Sequence, residues 1–89
     1  MPSIEFTPNL HRHVDCPPEA LDAGTVGELL EAYFDRWPAV RGFVLDDQGA
    51  VRKHVKVIVD GRNIKDRAGL SDALGPASRI HVFQALSGG

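Results

Sequence analysis

One helix, flanked by segments that alternate, restricts this chain to few folds. Thr25 and Glu28 have the spacing of a capping box. Behind them Val26, Leu29, Leu30, Tyr33, Phe34 and Trp37 recur at helical intervals and form one apolar face, with Glu28, Glu31, Ala32, Asp35 and Arg36 mainly off it. Pro38 stops the pattern. The aromatic-rich stripe suits a helix lying across a sheet. A single helix cannot cover both faces of a sheet. The expected architecture is therefore α+β: a mixed or mostly antiparallel sheet of four to five strands with one main helix on one face.

The strands are read from period-two alternation. Ile4 and Phe6 share a face over residues 3–7, and Pro8-Asn9 ends that strand. Residues 10–14 are expected to form a turn and the start of a second strand, with His11 and His13 on one of its faces. Cys16-Pro17-Pro18 interrupts that strand or places it at an edge, because neither proline donates a hydrogen bond. Residues 20–24 read as a loop, 39–45 as a one-turn helix or packed connector, and Asp46-Asp47-Gln48-Gly49 as a polar turn. Residues 52–60 form a strand with Val55, Val57 and Val59 on one face. Asp60-Gly61 is a hairpin signal, and Arg62-Asn63-Ile64 pairs back as a short edge-protecting strand. Residues 65–69 are irregular, residues 70–74 bury Leu70 and Leu74, and Ile80 to Phe83 form the closing strand.

With 89 residues the chain is one small domain, with hardly enough mass for both a core and a deep substrate cleft. That weighs against a stand-alone enzyme. Formal charge is −2, with acidic and basic residues mixed and no basic block, so nothing indicates nucleic acid. The single cysteine, Cys16, permits no intramolecular disulfide and reads as a small buried residue. His11-x-His13 lacks an acidic or cysteine partner at metal-ligand spacing, so no metal site is expected. Met1 to Glu5 lack the basic region and apolar run of a signal peptide, and no stretch approaches membrane-spanning length. The expectation is a cytoplasmic protein with no membrane partner.

The sequence ends Gln84-Ala85-Leu86-Ser87-Gly88-Gly89, directly after the closing strand. Two final glycines give a thin, permissive backbone that can be threaded into another protein's active site, where a Cβ would collide or fix the wrong dihedrals. Residues 1–85 are expected to be the folded domain and 86–89 a flexible tail, with Gln84 to Ser87 serving as spacer. The bland alternative is a disordered terminus that happens to end in glycine.

This layout resembles the ubiquitin-like sulfur-carrier proteins, which include the small subunit of molybdopterin synthase and the sulfur carriers of thiazole, cysteine and thiolated-tRNA synthesis. The resemblance rests on Thr25-Val26 opening the helix, on the Val-rich strand from Val55 into Gly61, and on the apolar strand from Ile80 leading to the terminal Gly88-Gly89. It covers nearly the full chain. Several family members carry proline just before the tail, where this chain has Gln84-Ala85-Leu86. The resemblance implies a β-grasp fold whose first and last strands run parallel at the sheet centre. It further implies that Gly89 is adenylated by an ATP-dependent, E1-like adenylyltransferase and converted to a thiocarboxylate. The sulfur would come from a rhodanese or cysteine desulfurase and pass to a sulfur-acceptor enzyme. In this account the chain is a protein co-substrate, not an enzyme, and holds no cofactor of its own.

A carrier needs a docking surface. With Ile80 and Val82 facing the helix, His81 and Phe83 face outward, and Lys56 and Ile58 share that face. Phe83 and Ile58 are expected to form an apolar centre rimmed by Lys56 and His81, with Ala85 and Leu86 continuing the contact. A one-residue register shift would reverse the faces, and Phe83 packed inward is the alternative. Two other function classes remain open. One is a protein modifier joined through Gly89 to lysines, with Lys53, Lys56 and Lys65 as possible acceptors. The other is a β-grasp binding module without tail chemistry.

Overall fold

The computed structural model describes residues 1–84. The expected tail at 86–89 and the boundary before it lie outside the described residues.

Five strands form one mixed sheet in the order β2-β1-β5-β3-β4. They are β1 (Ser3–Phe6), β2 (Glu19–Ala20), β3 (Val55–Val59), β4 (Arg62–Asn63) and β5 (Arg79–Gln84). β5 is central. It runs parallel to β1, from Ser3↔Arg79 to Phe6↔Val82, and antiparallel to β3, from Val59↔Ile80 to Val55↔Gln84. The alternation then fixes which side chains are covered. Ile4, Phe6, Val55, Val57, Ile80 and Val82 are all buried in the core. The short strand β4 lies at one edge, as expected from its length.

Among the described residues three helices accompany the sheet: α1 (Pro8–His11), α2 (Val26–Arg36) and α3 (Pro38–Val44). The buried stripe of α2 is Val26, Leu29, Leu30, Tyr33 and Phe34, and α3 adds Val40 and Val44. The Thr25 hydroxyl accepts from the Glu28 N–H at 3.2 Å. Glu28 reaches back to the N–H of Gly24 at 2.8 Å, one residue before the usual capping-box target. Trp37 ends α2 in a conformation outside the helical region, as a residue before proline favours, and Pro38 opens α3 where a missing N–H costs nothing. The segment expected as a one-turn helix or packed connector is thus a seven-residue helix.

The second strand was expected from residue 10 and begins instead at Glu19. Residues 8–11 form a helical turn because Pro8 suits a first helical position and the turn buries Leu10. His11 and His13 therefore do not share a strand face. His11 ends α1, and the His13 ring stacks on Phe43 with centroids 6.2 Å apart. Cys16 is buried. Pro17 contributes a carbonyl that accepts from the Tyr33 hydroxyl at 2.8 Å. Glu19 accepts from Trp37 Nε1 at 2.7 Å and from Arg36 Nε at 2.8 Å, joining β2 to the end of α2.

The strand expected over 52–60 is shorter because Arg52-Lys53-His54 form a turn, closed by Val55 N–H donating to Arg52 O at 3.0 Å. Asp60 and Gly61 both adopt positive φ, 50° and 85°, which the tight hairpin into β4 requires. The irregular segment 65–74 has a definite task. Its carbonyls accept from the first N–H groups of α2: Asp72 O from Val26 at 3.0 Å and Leu70 O from Gly27 at 2.8 Å. A Cβ on Gly27 would stand 3.2 Å from that Leu70 oxygen, so any larger residue would push the loop back by a few tenths of an ångström. Leu70 itself is buried at φ 57°, a conformation held by the surrounding bonds. Asp66 accepts from the Ser71 hydroxyl at 2.6 Å and from Gly69 N–H at 2.7 Å. Asp72 accepts from the N–H groups of Lys65 at 2.9 Å and Asp66 at 2.8 Å.

These bonds hold the Asp66 and Asp72 carboxyls below the usual carboxylate range, chiefly through Ser71 and the Lys65 amide respectively. A depressed folded-state pKa contributes stability above about pH 4 that is lost as pH falls below it. Urea unfolding between pH 6 and pH 3 should show this. Asp72→Asn is expected to be less stable than wild type at pH 6 and to lose less on acidification; parallel losses in the two proteins would contradict it.

Candidate functional site

The outer sheet face is set by the central strand. Pairing Lys56↔Phe83 and Ile58↔His81 places all four expected docking residues on one surface. Phe83 is 41% exposed and, with Met1, is one of two large apolar side chains exposed among the described residues. It stands between two depressions. One, of about 390 Å³, is lined by Lys56, Ile58, Phe83 and Gln84. The other, of about 200 Å³, includes Glu5, Thr7, Pro8, His81 and Phe83. The His81 and Phe83 rings lie 6.4 Å apart, and His81 Nε2 approaches Glu5 Oε2 at 3.9 Å. An exposed aromatic flanked by a half-buried aliphatic and a lysine has the anatomy of a protein docking centre. A wider depression of about 510 Å³, lined in part by Gly27, Glu31, Arg41, Leu45 and Leu70, lies on the helix side of the molecule.

The remaining expected site residues, Ala85, Leu86, Gly88 and Gly89, lie outside the described residues. Gln84, expected in the spacer, is instead the last residue of β5, paired with Val55. Glu5 was not singled out from the sequence. Its place beside His81 follows from the parallel β1–β5 pairing, which joins residues from opposite ends of the chain and leaves no local signal.

Other reactive groups are structural. Burial pushes the Cys16 thiol up, and the neighbouring Asp15 adds to this, so the sulfur is a poor nucleophile. Burial likewise raises the Tyr33 phenol, which stays protonated and donates to Pro17. The Trp37 indole is the chief cause holding the Glu19 carboxyl low. No group of three or more His, Cys, Asp or Glu side chains is arranged to hold a metal ion among the described residues. No helix among them is long and apolar enough to cross a membrane.

The family model described as the ThiS family matches residues 14–89. The chain belongs to the ThiS family. It is thereby a ubiquitin-like protein of the small-modifier and sulfur-carrier kind, and such proteins act as small carriers alongside partner enzymes. It is 31% identical to small archaeal modifier protein 3 of Haloferax volcanii over 68 residues, 76% of this chain and 73% of that one. Among solved structures, the crystal structure of the Amycolatopsis orientalis BexX/CysO complex contains a chain of the same fold, at TM-score 0.83 and 14% identity with all of both chains covered. The crystal structure of SAMP1 from Haloferax volcanii aligns at TM-score 0.78 and 23% identity, over 99% of this chain and 98% of that one. The fold is the ubiquitin-like β-grasp, as the resemblance implied.

The two faces of β5 should respond differently to truncation. Ile80→Ala, on the core side, is expected to cost about 2–5 kcal/mol. Phe83→Ala, on the open side, is expected to cost about 1 kcal/mol or less. Urea titrations compare them; a Phe83 loss matching that of Ile80 would mean the ring is part of the core.

Proposed function

We propose that this protein is a sulfur carrier whose working atom is the carboxylate of Gly89. The observation that carries the reading is the family match, which runs through Gly88-Gly89 on a chain whose last strand is the central strand of its sheet. β5 is bonded on both sides, to β3 as far as Gln84, and the exposed Phe83 face beside it offers the seat for a partner.

A carboxylate is a poor electrophile and needs activation. An E1-like adenylyltransferase supplies ATP, and a Gly89 carboxylate oxygen attacks its α-phosphorus. Pyrophosphate leaves and an acyl-adenylate forms. The terminal sulfur of a persulfide, on a rhodanese or cysteine desulfurase, attacks the carbonyl and AMP leaves. The resulting acyl disulfide is cleaved by a second thiol, which forms a disulfide with the donor cysteine and releases the Gly89 thiocarboxylate. That sulfur is then a nucleophile for the acceptor enzyme. Phe83 and Ile58 form the apolar contact with the activating enzyme, Lys56 and His81 its rim, and Ala85 and Leu86 the continuation into the channel. Gly88 provides clearance. The chain supplies the acyl group and the partners supply the catalytic groups, in the cytoplasm.

A second reading draws support from the relative named as a modifier: Gly89 joined through an isopeptide bond to target lysines. Adenylation is common to both. Intact mass after incubation with the activating enzyme, ATP and a sulfur source separates them. Replacement of one oxygen by one sulfur at Gly89 supports the carrier, whereas isopeptidase-sensitive conjugates support the modifier. Gly89→Ala is expected to leave the urea midpoint unchanged and slow adenylation at least about tenfold, because a Cβ clashes in a channel fitted to glycine. Unaltered adenylation by this variant would remove Gly89 from the mechanism.

A further inference from the structure

Charges that look mixed along the chain are separated on a larger scale. Residues 1–50 carry nine carboxylates against three Lys or Arg, a net −6, whereas residues 51–84 carry three against seven, a net +4. The fold converts this division into a spatial one. The acidic part supplies β1, β2, α2 and α3, and the basic part supplies β5, β3 and β4, which together form one side of the sheet. The three carboxylates of the basic part each accept backbone hydrogen bonds, and Asp60 stays exposed just after β3. Asp60 accepts from the Arg79 N–H at 2.9 Å, and Asp66 and Asp72 accept from N–H groups of their own loop.

The cations gather where β5 stops. The Val55↔Gln84 pairing sets Lys53 and His54 beside the end of that strand, and Lys56 opposite Phe83. On the other side the end of β1 leads into Pro8 and the exposed His11 and Arg12. Segments 7–13 and 51–56 together hold four Lys or Arg, three His and no carboxylate. Among the described residues, no carboxylate lies within ion-pair distance of Lys53, Lys56 or Arg79. Of the strand residues that alternate onto the outer face Glu5 is the one acid, and it lies 3.9 Å from His81; the exposed Asp60 follows β3 in the turn and accepts from the Arg79 N–H.

We infer that the partner receiving the end of β5 presents an acidic rim around an apolar seat, and that the charge separation turns this face toward it during approach. This rests on the reading of Phe83 and its neighbours as a docking surface and specifies the chemistry of what docks there. Opposed charge accelerates encounter and is weakened by salt, while Phe83 supplies the uncharged contact.

The test uses the full chain and the ATP-dependent activating enzyme of the same organism. Affinity is measured by calorimetric titration from low to high KCl, and adenylation by ATP–pyrophosphate exchange. Affinity is expected to fall about tenfold across the salt series. Lys56→Glu should weaken low-salt binding about tenfold and flatten the salt dependence. Arg41→Glu makes the same charge change at an exposed residue of α3 and should stay within about twofold. Urea midpoints establish that both variants fold. Equal effects of the two variants would overturn the inference, as would salt-insensitive binding accompanied by normal exchange; in the latter case the carrier reading survives. Salt-sensitive binding without exchange would sustain the acidic rim and sink the carrier reading. Failure to bind at any salt would overturn both. Should sedimentation reveal a dimer that Lys56→Glu dissociates, the acid would belong to the α2 face of a second copy, and the separate partner is rejected.

Discussion

The pairing of β5 with both β1 and β3 is the constraint on which the rest of this molecule depends. It closes the chain by joining its first and last strands, and it fixes the register that sends Ile4, Phe6, Val57, Ile80 and Val82 to one side. A slip of one residue would exchange this set for Glu5, Lys56, His81 and Phe83, burying charge against α2. The same hydrogen bonds that build the core therefore hold Phe83 in the open. The core and the open surface around Phe83 are the two faces of one strand.

The loop between β4 and β5 serves that arrangement from a distance. It has little regular structure, yet its Leu70 and Asp72 carbonyls complete the first turn of α2. Asp66 and Asp72 hold the loop in shape through its own N–H groups. At the other end of α2, Glu19 gathers the Trp37 and Arg36 side chains and ties β2 to the helix. The helix is thus positioned by polar contacts at both ends and by apolar burial between them. This leaves the outer face of the sheet open to a partner.

In the function proposed above, the work is divided between a folded platform and the last residues of the sequence. The platform offers an apolar spot, a cationic border and a firmly bonded strand end. Members of the family are small carriers that act with partner enzymes. Cys16 and Tyr33, the groups most easily suspected of reactivity, are instead held protonated by burial and support the packing beneath β2.

Where a signal was local, the sequence was enough. The capping residues and apolar stripe of α2, the alternation in β1, β3 and β5, and the Asp60-Gly61 turn each depend on neighbours within a few residues. The shared outward face of Phe83, His81, Lys56 and Ile58 was also readable, because period-two alternation assigns faces once one side is known to be buried, whereas the pairing of Phe83 with Lys56 and of His81 with Ile58 came from the folded register. Tertiary structure decided what depends on distant partners. Residues 8–11 became a helical turn because Leu10 finds the core, Glu19 became a strand because the edge of β1 was free, and Leu70 adopts positive φ because its carbonyl meets Gly27. The meeting of Glu5 with His81 and the division of charge between the helices and the β3–β5 side arose in the same way. Sequence spacing records the period of an element, but only the folded chain determines which elements become neighbours.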